Sequence, residues 1–263
     1  MSRFTTYSSG FCFEVGKLTA CGLVRKENQD SVLALSEAGL FCVADGMGGG
    51  KGGALASRWI CDGFANAARA EGFDSLSGDD RMLMVDRVLK SVNHRIRAYA
   101  AEKGYRSMGS TVAMMVFNPQ DGAHPSIVHV GDSRVYRLRR GELRLMTSDH
   151  TVGGEMSRKT VSRTESENLS SRRNPLSHIL TRAVGTEFRV RPDWQKAEVR
   201  AGDRYLLCTD GVHDMLSDAD ILAAMKGRVG PEVIVTRLEK GIVAAGASDN
   251  YSMICIEVRR RRR

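Results

Sequence analysis

Four short pairs of residues in this chain could do chemistry together: Asp45-Gly46, Gly131-Asp132, Asp210-Gly211 and Asp249-Asn250, each beside an apolar run that reads as a strand. Carboxylates at strand ends are carried by a sheet to a common rim. Several converging there repel one another unless divalent cations neutralise the charge. Taken singly, each pair is an ordinary turn, because Asp bonds to nearby backbone and Gly or Asn tolerates positive φ. The signal is the repetition of one arrangement, apolar strand then aspartate, in segments too far apart for local structure. An all-oxygen site of this kind suits Mg²⁺ or Mn²⁺ and argues against zinc, which recruits His or Cys.

The elements that must position these residues follow from hydrophobic period. Residues 18–35 suggest two strands flanking a turn at 25–30, and the uninterrupted apolar run 40–44 reads as a strand covered on both faces, ending at Asp45. Six glycines in the eight residues 46–53 predict a loop. Leu55, Trp59, Phe64, Ala67 and Ala68, and then Met82, Val85, Leu89, Val92, Ile96 and Tyr99, fall at helical spacing.

Strand-like runs follow at 111–117 and 126–130, then a hairpin over 135–146. Residues 147–178 are polar, poor in large apolar groups and expected to be mobile. Further on, 205–208 reads as a strand, 219–225 and 230–245 as helices, and 251–258 as a last strand. Strands in adjacent groups interrupted by helices fit antiparallel sheets better than a βαβ winding, so the class is α+β. One domain over 1–258 is expected.

Size and composition are those of a globular protein: 263 residues, 42% hydrophobic and 27% charged. No apolar stretch approaches the roughly 20 residues of a membrane span, and the start lacks a secretory apolar block, so a cytoplasmic protein is expected. Arg259 to Arg263 supply five of the net +8 charges, leaving 8 − 5 = +3 elsewhere; 259–263 reads as a solvated basic tail. The six cysteines form no CxxC pair, and most read as buried thiols. Cys255 and Arg261 match the CX5R spacing of cysteine phosphatases, but in a strand pattern without a phosphate-binding loop. Lys51 is followed by Gly52 rather than Ser or Thr, which excludes a P-loop.

Taken in order, the motifs resemble a known family, the metal-dependent Ser/Thr protein phosphatases called PPM or type 2C. The matching segments are Gly22 to Asp30, with Arg25, Asn28 and Gln29 inside it; Val43 to Gly49; Gly109-Ser110-Thr111; Val130 to Tyr136; Ser148-Asp149-His150; Leu180 to Gly185; Leu206 to Gly211; and Ser248-Asp249-Asn250. The resemblance spans about 19–258, and the Asp-Gly-Met-Gly-Gly variant looks bacterial.

The resemblance implies a four-layer α/β/β/α sandwich of two antiparallel sheets flanked by helices, with a binuclear Mn²⁺ or Mg²⁺ centre at one end and a flap at about 147–192. Asp45 would bridge two metals, Asp210 and Asp249 would complete the ligand set of the first ion, and the carbonyl of Gly46 would serve the second ion. Asp132 and Asp214, with Asp210, match positions linked to a weaker third ion, and Asp30 would lie just outside the ligand shell. Arg25 would bind the phosphoryl oxygens as a planar, permanently charged fork.

Hydroxide held between the ions would attack phosphorus. The chain departs from some relatives at Met47, where eukaryotic members often carry a proton-donating His, and at Gln29, where many have Glu. His150 reads as ordering the flap base, and His94, His129 and His213 show no zinc spacing. The implied partners are phosphorylated proteins opposite a bacterial Ser/Thr kinase, with no nucleic acid and no membrane span, and the protein is expected to be a monomer. The alternatives are a pseudophosphatase binding module and a phosphatase for small phosphomonoesters.

Overall fold

The computed structural model describes residues 5–6, 11–48, 51–70, 73–118, 123–159 and 175–260. Two antiparallel sheets face each other. The first has the order β1 (Thr5–Thr6), β2 (Phe11–Ala20), β12 (Tyr251–Arg260), β11 (Arg204–Cys208), β8 (Arg134–Arg139), β9 (Glu142–Leu145). The second runs β10 (Asp193–Lys196), β7 (Ser126–Val130), β6 (Val112–Val116), β4 (Leu40–Met47), β3 (Asp30–Leu35), with β5 (Gly109–Ser110) also paired to β4.

The uninterrupted apolar runs are explained by burial on both faces. Along β4, Phe41 and Val43 face the other sheet, where they join Phe13, Leu207 and Ile254 in one apolar cluster, with Phe117 beside them at the end of β6. Leu40, Cys42 and Ala44 face outward onto Ile60 and Phe64 of α1 (Lys51–Ala68) and Val85 and Leu89 of α2 (Gly78–Lys103). The first sheet alternates likewise. Leu206, Cys208, Met253 and Cys255 turn outward to Val212 of α4 (Asp210–His213), Ile221 of α5 (Asp218–Met225) and Ile234, Leu238 and Ile242 of α6 (Pro231–Ala244). The layers are therefore helix, sheet, sheet, helix.

Antiparallel pairing brings the end of one strand beside the start of the next, so a single rim collects the C-terminal ends of β4, β7 and β11 and the N-terminal ends of β3, β8 and β12. Asp30 is paired in register with Asp45, and Cys208 lies opposite Met253 and Arg134.

Several expectations need correction. The glycine run is not all loop: β4 continues to Met47, and α1 begins at Lys51, so Gly52 and Gly53 are helical and buried. The polar segment 147–178 is not devoid of regular structure, because α3 spans Val152–Lys159; residues 160–174 of the expected flap lie outside the described residues. β2 starts at Phe11 rather than near Leu18, and the short β10 was not anticipated. Of the arginines read as a tail, Arg259 and Arg260 belong to β12, opposite Cys12 and Phe11, and Arg259 is ion-paired to Glu257 at 3.0 Å and also to Glu14. Among the described residues no helix is long and apolar enough to cross a membrane.

Candidate metal centre

The rim encloses an open cavity of about 510 Å³ whose walls include Arg25, Asp45, Gly46, Asp132, Asp210 and Asp249. The distant acidic residues do meet around one space. Asp214 does not line this cavity. It caps α4 and faces an adjoining one of about 300 Å³, which shares Asp132 and His178 with the first.

The carboxylates are held in a way that leaves their charge uncompensated. Burial, then the charges of Asp210, Asp30 and Asp132, push the Asp45 carboxyl well above its ordinary range. Burial and the charges of Asp210 and Asp149 raise Asp132 similarly. Asp210 is raised by burial, opposed by nearby His213. Burial lifts Asp30 to about 7, although hydrogen bonds from Ser252 and Thr209 oppose it. At Asp214 burial acts upward too, but the contact with His213 outweighs it and the carboxyl lies below its usual range.

A hard cation fits this arrangement. Asp30 Oδ1 is buried with no hydrogen-bond partner, while Oδ2 accepts from Thr209 Oγ1 at 2.8 Å. The lining offers carboxylate and carbonyl oxygens, and its only imidazole is His178, which sits 3.4 Å from Asp214. Among the described residues no three of the rim carboxylates bring oxygens within 4.8 Å of one another, so they ring the cavity rather than meet at a point.

Two glycines owe their places to close backbone approach. A Cβ on Gly46 would lie 2.1 Å from the Gly53 carbonyl oxygen, and one on Gly211 would lie 2.0 Å from the Asn250 carbonyl oxygen. Only glycine lets the segments that carry Asp45 and Asp210 pack so tightly onto α1 and onto the loop before β12.

Residues the sequence reading passed over fix the rim. Asn250 Oδ1 accepts from Gln29 N at 2.9 Å, and its Nδ2 donates to the carbonyls of Cys21 and Glu27 at 2.8 and 3.0 Å, clasping the turn that bears Arg25. Thr111 Oγ1 accepts from Asp45 N and contacts Ser133 Oγ at 2.7 Å. Arg134 holds Asp149 in a fork, with contacts of 2.6 to 3.2 Å. Their only sequence signal was membership of the quoted motifs. Arg25 itself is in the cavity wall but not free, since its Nη2 donates to Asp249 Oδ2 at 2.6 Å.

A second group, His129, His150 and Asp193, has potential ligand atoms within 4.8 Å of one another. Its geometry is that of a hydrogen-bond network. Gly131 N donates to His150 Nδ1 at 3.2 Å, so the proton is on Nε2, which faces Asp193 Oδ2 at 3.2 Å; Arg182 supplies the positive charge, donating to Asp193 Oδ1 at 2.8 Å. Burial, then His129, pushes His150 down to about 4, so the imidazole is neutral and braces the Gly131-Asp132 turn. His150 is thus a structural histidine that ties the Gly131 turn to Thr181, whose backbone N donates to the His150 carbonyl at 2.8 Å.

A family model described as protein phosphatase 2C matches residues 24–239. The chain belongs to this family. It is 36% identical over 240 residues to the serine/threonine protein phosphatase PstP of Mycobacterium tuberculosis, covering 90% of this chain but 43% of PstP, so it spans less than half of that relative. It is 28% identical over 248 residues to the protein phosphatase PhpP of Streptococcus pneumoniae, covering 93% of this chain and 97% of PhpP. The crystal structure of the PstP catalytic domain in complex with two manganese ions superposes with a TM-score of 0.79 at 32% identity, covering 95% of this chain and 99% of that one. The expected sandwich is the fold of this phosphatase 2C member.

Proposed function

We propose that this chain is a metal-dependent protein phosphatase that hydrolyses phosphoserine and phosphothreonine in proteins, acting in the cytoplasm opposite a bacterial Ser/Thr kinase. The observation that carries the reading is the ring of buried and half-buried carboxylates of raised pKa around one open cavity, in a chain whose relatives are named as Ser/Thr phosphatases.

Asp45, Asp210, Asp249 and the Gly46 carbonyl would hold two Mn²⁺ or Mg²⁺ ions, and Asp132 and Asp214 a weaker third. Bound there, such ions supply Lewis acidity that makes water a nucleophile near neutral pH. Asp30, through its unpartnered Oδ1, is the acceptor that orients water at the edge of the site. Arg25 binds the phosphoryl oxygens. Because its guanidinium is engaged with Asp249, neutralising that carboxylate is what frees the fork for substrate. Met47 lines the cavity and cannot donate a proton to the leaving alkoxide, so the proton comes from elsewhere in the cleft or from solvent.

The test is phosphate release from a phosphothreonine peptide with Mn²⁺. Chelation is expected to abolish the rate, and Asp210→Asn to lower kcat/KM by about a hundredfold or more. A rate that survives either change refutes the assignment of the site.

A further inference from the structure

We propose that the groove between α2 and residues 186–191 docks an acidic, apolar-bearing segment of the phosphoprotein substrate. This inference rests on the phosphatase reading and names the class of protein it acts on.

One wall is a single face of α2, where Lys90, Asn93, His94 and Arg97 follow at i, i+3, i+4 and i+7; the other is the run Phe188 to Arg191, and the space between is about 580 Å³. Phe188 is 78% exposed, more than any other large apolar side chain among the described residues. It is held there by built structure. Asn93, 3% exposed, donates through Nδ2 to the carbonyls of Glu187 at 3.1 Å and Phe188 at 3.4 Å, and accepts from Gly185 N at 2.7 Å. A fixed backbone that presents a phenyl ring to water is the signature of an anchor awaiting a partner.

Charge says what partner. Among the described residues Lys90, Arg97, Arg189 and Arg191 have ion pairs only with Asp86 and Glu187, a local balance of 4 − 2 = +2 over these six residues. Lys90 pairs with Asp86 at 2.6 Å and Arg191 with Glu187 at 3.8 Å, whereas Arg97 and Arg189 pair with no carboxylate among the described residues. The Arg97 guanidinium lies 5.2 Å from the Phe188 ring centroid, so cation and aromatic surface form one patch. Concave shape plus one ring fits an acidic polypeptide carrying an apolar side chain.

A single strap of chain joins the groove to the cleft. Leu180 lines the cleft, Val184 exchanges backbone bonds with Ser110 beside Gly46, and Phe188 follows. Phe188 lies eight positions after Leu180, so the two sites are no more than about 30 Å apart along this strap. A substrate with an acidic segment within that reach of its phosphoresidue engages both.

The probe is a fluorescent, unphosphorylated peptide of Asp, Glu and one Leu, compared by anisotropy with its Asn and Gln counterpart on the full chain. The acidic peptide is expected to bind saturably, at least about tenfold tighter than the neutral one, and to weaken with added salt. Arg189→Glu and Phe188→Ser each are expected to weaken it at least about tenfold while leaving hydrolysis of a small aryl phosphate unchanged.

Equal binding by the variants, or no preference for the acidic peptide, overturns the proposal. So does binding to phosphatidylserine vesicles in place of the peptide, or a dimer that Phe188→Ser dissolves. Binding is read without turnover. A protein that binds but never hydrolyses sinks the phosphatase reading alone, and one that hydrolyses without binding sinks the groove alone.

Discussion

Replacing Asp30 by asparagine tests whether the rim stores uncompensated negative charge. The Asp30 carboxyl, ordinarily near 3.8, lies at about 7, chiefly through burial. Between those values the native state keeps the proton that the unfolded chain has lost. The protein therefore loses stability as pH rises through that window, and the deficit is complete above pH 7. From pH 5 to pH 8 the linkage relation gives a loss of about 2 to 3 kcal/mol attributable to this one group. The amide that replaces the carboxyl keeps an acceptor for Thr209 Oγ1, turns a donor toward the Asp45 side, and does not titrate.

The assay is thermal unfolding of wild type and Asp30→Asn after chelation, at pH 5 and pH 8. Groups common to both proteins cancel in the difference. At about 2–4 °C per kcal/mol for a chain of this size, the melting temperature of the variant relative to wild type should rise by about 5 to 10 °C between the two pH values. Manganese should shrink that advantage by neutralising the wild-type carboxylates. A gap that stays constant with pH, or narrows as pH rises, refutes the burial of an uncompensated carboxylate at position 30.

Three further outcomes are expected. Gly211→Ala places a methyl 2.0 Å from the Asn250 carbonyl oxygen, which must push Asp210 and Asp249 apart; titration calorimetry should show Mn²⁺ affinity falling at least about tenfold while the helical circular dichroism persists. Arg134→Ala leaves Asp149, only 16% exposed, without its fork; denaturant unfolding should show a loss of about 3 kcal/mol, and Arg134→Lys, which keeps the charge but not the fork, a smaller one. Saturating Mn²⁺ at about a hundredfold over Kd should stabilise wild type by about 2.7 kcal/mol, reversibly with chelator, and Asp45→Asn should remove that gain.

Much of the frame was legible in the chain because burial on both faces writes a continuous apolar run. The runs 40–44, 111–117, 205–208 and 251–258 each hold a central strand for that reason. β10 was illegible because it is an edge strand, mostly exposed, whose Asp193–Lys196 carries no apolar period and is strand only through pairing with β7. The glycine run misled in the opposite way. Glycine disfavours helix locally, yet Gly52 and Gly53 are helical, and at Gly53 a Cβ would lie 2.7 Å from the Gly46 carbonyl oxygen, so the close approach of β4 to α1 requires glycine there.

The sequence by itself determined the kind of ligand: hard oxygen donors at strand ends, in an order that identifies the family. It also marked the central strands that deliver them, since a continuous apolar run is a local property, while the layered sandwich was implied by the family resemblance. Only the tertiary structure decided which donors share a space. It placed Asp214 in a neighbouring cavity, tied Arg25 to Asp249, left Asp30 with an unsatisfied oxygen and joined Thr209 to Asp30 across 179 positions of chain. Residue types carry donor chemistry with them, whereas distance, desolvation and mutual repulsion exist only once remote segments have been packed together.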